Sequence, residues 1–381
     1  MRLSLLSSAV VAALVGFGGT VTIILEAARA TGADAAQAAS WVMGVCVAMG
    51  LTTAWLSWRH RIPVITAWST PGAALLAAAP QPIGMPAAAG AFLVAGGLIT
   101  ATAAFPTLQR LVERIPMPIA AAMLAGILVK FAIALFAAAG TAPALVLPLL
   151  ALFLLVRQKD PALAVLAVLA AGILLAALRG EAVLPSALAW PWPVPVVPHL
   201  APDVLIGVGL PLFLVTMAAQ NLPGFAVLRA SGYQVPARSI LAVTGIASLL
   251  SAAIGAHTNN AAAITAAICT GPDTHPDPAR RWPVGLVYGV CALLLALLAG
   301  GAAAVVASLP AALVATVAGT ALLGPLTSAL GTALGSEQER FAAVVTFALA
   351  ASPLTLLGIG PAFWGLVAGL AVLAAERLKR G

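Results

Sequence analysis

Residues 257–271 read HTNNAAAITAAICTG, and their side chains suit the binding of a small polar group better than the breaking of a covalent bond. His257, Thr258, Asn259 and Asn260 bring an imidazole, a hydroxyl and two carboxamides, all capable of hydrogen bonding. The apolar run behind them, Ala261 to Cys269, is too short to cross a bilayer, which takes roughly 20 residues of helix. A second short segment, PVITAWSTPGAALLAAAP at 63–80, carries Ser69-Thr70-Pro71-Gly72. Serine or threonine caps a helix and proline fits its first turn, so a half-helix is expected to start there. Thr258, Asn259 and Asn260 are capping residues too, and a second half-helix is expected to start at them. The stretches ahead of the caps, PVITAW and AAIGAH, are expected to be extended.

A helix that starts inside a membrane leaves backbone N–H groups unpaired and carries about half a positive charge at that end. Two such ends, approaching from opposite sides, form an anion site without a buried Arg or Lys. Ser69, Thr70, Gly72, Thr258, Asn259 and Asn260 are therefore the first candidates for substrate binding. Gln220 and Asn221, just before Pro223-Gly224, add two amides beside a helix interruption; bonding between helices is the competing role. Phe17 and Gly18, in GFGGT at 16–20, offer an aromatic face and a close backbone approach, with helix packing as the alternative.

Proton coupling has two candidates. His257 titrates near neutrality when unperturbed. Lys130, in ILVKFAIALF, is the one cation deep within an apolar run, and such charges are functional by default. Glu26 is close to a span end and reads as a surface charge. His275 and Asp277, in GPDTHPDPARR, read as turn-formers that fix the exit of the second short segment. Cys46, Cys269 and Cys291 show no paired spacing, which supports neither a disulfide framework nor a zinc site. No catalytic constellation, metal site, cofactor or nucleotide-binding motif is read, so an enzyme or an ATP-driven pump is not expected.

The elements that must position these residues are membrane spans. Of 381 residues, 62% are hydrophobic and 8% charged, far from the quarter that is usual in soluble domains. Apolar runs divide the chain into fourteen segments: 4–28, 36–57, 63–80, 85–108, 117–139, 142–157, 161–179, 202–228, 237–256, 257–271, 282–308, 311–334, 339–357 and 360–376. The first seven fall in 1–181 and the second seven in 202–381. Between them, 182–201 is rich in Pro and Trp and reads as an extracytoplasmic linker along one membrane surface.

With both ends inside, 15 of the 18 basic residues fall on the cytoplasmic side, among them Arg2 and Arg114; Arg29 and Arg179 lie outside and Lys130 within a span. Basic residues accumulate on cytoplasmic loops, so the net charge of +7 reflects topology and needs no nucleic-acid partner. Seven is odd, so the second set enters the membrane the opposite way round. That is the inverted repeat of many secondary transporters, with the two short segments third in each half.

The run GAHTNNAAAITAAICTGPDTHPDPARRW (255–282), with ITAWSTPGAALL (65–76), resembles the benzoate/proton symporter family BenE over nearly the whole chain. The resemblance implies the fold of nucleobase (UraA-like) and sulfate permeases, an all-α polytopic protein with core and gate domains, each assembled from both halves. It implies a substrate held between the third and tenth segments, and import of benzoate or a related aromatic carboxylate with a proton across a bacterial-type inner membrane. Relatives of this fold are often dimers, so a homodimer in contact with membrane lipid is the implied assembly. The nucleobase branch places a glutamate near the start of the tenth segment, where this chain has Asn259 or a close neighbour. An acid there would repel a carboxylate; its absence also removes the obvious proton carrier. A nucleobase or other small-anion permease, or a channel, on the same fold is the alternative.

Overall fold

The computed structural model describes residues 3–79, 82–105, 107, 110, 115–181 and 190–380. The last residues of the segments expected at 63–80 and 85–108 fall partly outside that set, as do Arg2, Arg114 and 182–189 of the linker. The first half contains α1 (Leu3–Ala30), α2 (Ala35–His60), β1 (Thr66–Trp68), α3 (Thr70–Ala77), α4 (Met85–Ala104), α5 (Met117–Thr141), α6 (Pro143–Arg157) and α7 (Pro161–Leu178). The second contains α8 (Pro202–Ala230), α9 (Ala237–Ala252), β2 (Asn259–Ala261), α10 (Ile264–Thr270), α11 (Pro283–Leu297), α12 (Ala299–Ser308), α13 (Ala311–Leu334), α14 (Arg340–Ala351) and α15 (Pro361–Arg380).

Local chemistry sets most of these boundaries. Pro71, Pro86, Pro118, Pro143, Pro202 and Pro283 sit in the first turn of their helices, where no N–H partner is lost. Asp34 and Gln37 close a capping box at the start of α2, with hydrogen bonds of 2.8 and 3.0 Å. Among the described residues, eight helices are long and apolar enough to cross a membrane. The segment expected at 282–308 is two helices, α11 and α12, parted at Leu298, and that expected at 339–357 is helical only to Ala351.

Both short segments are a strand followed by a half-helix. The strands pair antiparallel, Thr66 with Ala261, Ala67 with Asn260 and Trp68 with Asn259. Buried backbone polar groups must find partners. Here the sheet edges find them in side chains: Thr66 N–H donates to Thr53 Oγ1 at 2.9 Å, Asn259 N–H to Ser248 Oγ at 2.8 Å and Ala261 N–H to Asn221 Oδ1 at 2.9 Å.

The most extensive helix pairings are α5 with α13, α2 with α11 and α4 with α9. A repeat of seven segments exchanges the last two pairs and maps the first onto itself. Small residues allow the closeness: a Cβ built on Gly289 of α11 would lie 2.8 Å from Gly50 O of α2. Helices α1–α4 and α8–α11 surround the strands, while α5, α13, α14 and α15 form a second group facing α3 and α8. Of the linker, 190–201 is irregular, tied by Val196 N–H to Ala253 O and His199 N–H to Pro86 O, both at 2.8 Å.

Candidate functional site

A cavity of about 310 Å³ opens between the two groups of helices where the short segments meet. That is the lower end of the range for ligand pockets, roughly 300–1,000 Å³. Its strand-side wall holds Thr20 of α1, Thr70 and Pro71 of α3, Ala263 and Ile264 at the start of α10, and Val215, Ala219, Gln220 and Pro223 of α8. The opposite wall is α5, from Met117 to Leu124, and α13, from Ala321 to Thr332. A smaller cavity of about 100 Å³ shares Thr20, Thr70, Gln220 and Ile264 with it and adds Trp68 and Tyr288. The walls are mostly apolar, and no charged residue lines either cavity among the described residues.

Thr70 and Gln220 are brought together on this cavity, and neither makes a side-chain hydrogen bond among the described residues. Gln220 gets there through a π-helical turn, Met217–Asn221, in α8. A second such turn, Leu205–Gly209, lies upstream, and each ends two residues before a proline, Pro211 and Pro223. Proline removes an i→i−4 hydrogen bond, and the wider turn accommodates that loss. The bulge sends neighbouring side chains to different tasks: Gln220 lines the cavity while Asn221 accepts the Ala261 N–H behind it.

The other polar candidates are buried in the scaffold behind the cavity. Ser69 caps α3 as its sequence indicates, its Oγ accepting from Gly72 N–H at 3.1 Å and from Thr216 Oγ1 at 2.9 Å. Thr258 Oγ1 shares a 3.0 Å hydrogen bond with Thr216. Asn259 and Asn260 do not cap α10, which starts at Ile264 with no side-chain cap; they form β2 instead. Their backbone is committed to the ladder, so the helix begins only after Ala263. Asn259 Nδ2 donates to Thr52 Oγ1 at 2.9 Å, and its Oδ1 accepts the Asn260 N–H. Asn260 Nδ2 donates to Ala261 O at 2.9 Å, and its buried Oδ1 has no partner among the described residues. Gly72 is buried too, where an added Cβ would meet Ser69 Oγ at 2.8 Å.

Phe17 packs on Trp68 with ring centroids 5.8 Å apart. Gly18 faces away from the cavity, against Leu166 of α7. His257 is fully buried and lines neither cavity; Trp41 Nε1–H donates to its Nδ1 at 2.9 Å, and its Nε2 meets Ser69 O at 3.0 Å. Lys130 lies half-buried in a separate pocket of about 40 Å³ at the other end of α3. Glu26 pairs with Arg29 at 2.7 Å on the surface.

Beyond the spans, Arg281 rather than His275 or Asp277 closes the exit of α10. It donates to Thr270 O and His275 O at 2.6 Å and to Pro276 O at 3.2 Å. Burial raises the nearby Tyr233 phenol above its ordinary pKa against an opposing pull from Arg281.

Sequence reasoning missed Thr20, Trp68, Tyr288, Ser328 and Thr332 as lining residues. Ser328 and Thr332, four apart on α13, carried a legible signal: a polar pair on one helix face. Trp68 carried none, because its indole reaches the cavity only once β1 is paired and Nε1–H donates to Thr20 Oγ1 at 2.8 Å.

Comparison with known proteins agrees with this architecture. Among solved structures, the transmembrane domain of a cyanobacterium bicarbonate transporter, BicA, superposes with a TM-score of 0.59 at 14% identity, covering 97% of this chain and 98% of that one. The inner membrane protein YdcO of Escherichia coli (strain K12) is 40% identical over 359 residues, 94% of this chain and 92% of YdcO. A benzoate membrane transport protein of Acinetobacter baylyi is 34% identical over 360 residues, 94% of this chain and 91% of that protein. The model of the benzoate membrane transport protein family, BenE, matches residues 1–375. A membrane protein whose broken segments cross beside an uncharged cavity, and whose sequence matches that family almost end to end, belongs to the BenE family of membrane transport proteins.

Proposed function

We propose that this chain is a secondary active transporter that imports benzoate or a related aromatic carboxylate together with a proton across a bacterial inner membrane. The observation that carries this reading is the cavity at the crossing of the two broken segments, apolar and uncharged, with Thr70 and Gln220 unpaired among the described residues on its wall. Its apolar wall suits a ring, and the hydroxyl and amide suit a carboxyl group held near the starts of α3 and α10. Ser69, Gly72, Asn221, Thr258, Asn259 and Asn260 then position these contacts from behind.

The proton is assigned to the substrate's carboxyl group. Neither His257 nor Lys130 lines the cavity, and both imidazole nitrogens are engaged. A protonated carboxyl group also enters an uncharged apolar site at lower desolvation cost than a bare carboxylate.

Alternating access follows from two seven-segment repeats, 1–181 and 202–381, that enter the membrane in opposite senses with both termini cytoplasmic. The cavity extends toward Met117 and Thr332, at the ends of α5 and α13 that the basic residues place inside. This conformation is therefore read as inward-facing, and motion of the strand-bearing group against α5, α13, α14 and α15 exposes the site to the other side.

Uptake of labelled benzoate into proteoliposomes tests the reading, with and without an inward proton gradient and against protein-free liposomes, since the neutral acid crosses lipid unaided. Saturable, gradient-driven uptake that a Gln220→Leu variant carries out only with a much higher KM is the expected result. Uptake no better than the empty control overturns the substrate.

A further inference from the structure

We propose that Lys130 is the extracellular capture residue of this transporter, the cation that draws the substrate's carboxylate into the path when its outer half opens. The inference rests on the transport reading above and concerns the end of the path opposite the main cavity.

Lys130 projects from α5 into a pocket of about 40 Å³ lined by Leu75 and Leu76 of α3, Ala79 just beyond it, Gly207 of α8, Ala350 of α14 and Pro361 of α15. These are the same two groups of helices that enclose the main cavity. The topology places their residues here in the outer half of the membrane: α8 and α15 start outside, and α3 ends there. The pocket lies on the same seam between the two groups as the main cavity. Its volume admits no more than a few water molecules, each of which needs roughly 10–15 Å³. Nothing the size of an aromatic acid binds here until the groups separate.

The ammonium group has neither an ion pair nor a hydrogen bond among the described residues. An intramembrane cation without an anionic partner is costly, so structural pairing does not explain it. It does lie beside the C-terminal end of α3, where the helix dipole favours positive charge. The acid nearest along the same face of α8 is Asp203, one turn outward from Gly207, and it is exposed and packs against Gly358. An aromatic carboxylate is ionised near neutral pH, since carboxyl groups titrate near about 4. Opening the outer half presents that anion with one unpaired cation at the rim. The anion leaves Lys130 for the uncharged cavity by taking a proton from outside water.

Sided kinetics of labelled benzoate test the assignment, using right-side-out and inside-out vesicles that carry the unaltered chain, Lys130→Met or Lys130→Arg. Lys130→Met is expected to raise KM about tenfold for uptake from the extracellular side and to leave KM from the cytoplasmic side within about twofold, the scale of one partly screened charge contact. Lys130→Arg keeps the charge and is expected to restore most of the outer affinity. An equal effect from both sides, or none, in vesicles where the unaltered chain transports saturably, overturns the capture role alone. Absence of saturable benzoate flux in the unaltered chain overturns the substrate reading and the capture role with it.

Discussion

Trp41 Nε1–H donates to His257 Nδ1 at 2.9 Å, and His257 Nε2 meets the carbonyl of Ser69 at 3.0 Å. A nitrogen that accepts cannot carry a proton, so the imidazole is the neutral tautomer with Nε2–H donating to Ser69 O. Through that bond α2 holds the residue that caps α3. His257 is in this arrangement a strut between the two broken segments.

Replacing His257 by Phe strands the Trp41 N–H and removes the donor to Ser69 O. An unsatisfied buried polar group costs about 1–3 kcal/mol, so the melting temperature in detergent is expected to fall. Residual flux is expected to keep its dependence on the proton gradient. An unchanged melting temperature with loss of that dependence would make His257 the proton carrier instead.

Gln220 and Asn221 are neighbours with opposite expected phenotypes. Gln220→Leu removes a cavity-lining amide that has no protein partner among the described residues, and is expected to raise KM roughly 10- to 100-fold with little change in thermal stability. Asn221→Leu strands the Ala261 N–H at the edge of β2 and is expected to lower stability by about 1–3 kcal/mol. Melting curves beside transport kinetics separate the two; the reverse pattern would place the substrate behind the strands.

Ser328 lies on the cavity wall and is exposed. In a background lacking the part-buried Cys291, a Ser328→Cys variant is expected to react with a membrane-impermeant thiol reagent from the cytoplasmic side, more slowly when benzoate is present. Labelling from the extracellular side alone would reverse the assigned orientation.

Gly319 lets α13 lie against α5. A Cβ there would stand 2.9 Å from Phe131 O and 2.6 Å from Leu135 Cβ, so the helices must part. Gly319→Ala is expected to destabilise by about 1–3 kcal/mol, the usual scale of overpacking, read as a lower melting temperature. Since none of Gly319, Phe131 and Leu135 lines the cavity, the KM of the surviving protein is expected to stay close to that of the unaltered chain.

Much of the fold was legible because the bilayer narrows the choices. Ser69-Thr70-Pro71 announced the start of α3 through cap and proline chemistry, and the structure has it there. The same chemistry misled at Thr258-Asn259-Asn260. Asparagine caps helices well in isolation, but here strand pairing with Ala67 and Trp68 takes the backbone, and α10 starts further on. Capping propensity is local, whereas a ladder depends on a segment almost two hundred residues away. Thr70 was singled out by its cap-and-proline run and Gln220 by its place before Pro223-Gly224, and both line the cavity; Trp68 and Tyr288 look like any buried aromatic until their neighbours are known.

The amino-acid sequence alone established that the chain lives in a membrane, that two of its segments are short and broken, and which residues are polar at those two breaks. These follow from composition, length and local backbone chemistry, all written along one dimension. Only the tertiary structure decided which polar residues face a cavity and which hold the strands behind it. The antiparallel pairing of β1 with β2 and the π-helical turn in α8 make that division, turning Gln220 outward and Asn221 inward. Both depend on where distant backbone donors need partners, and that geometry exists only in the folded chain.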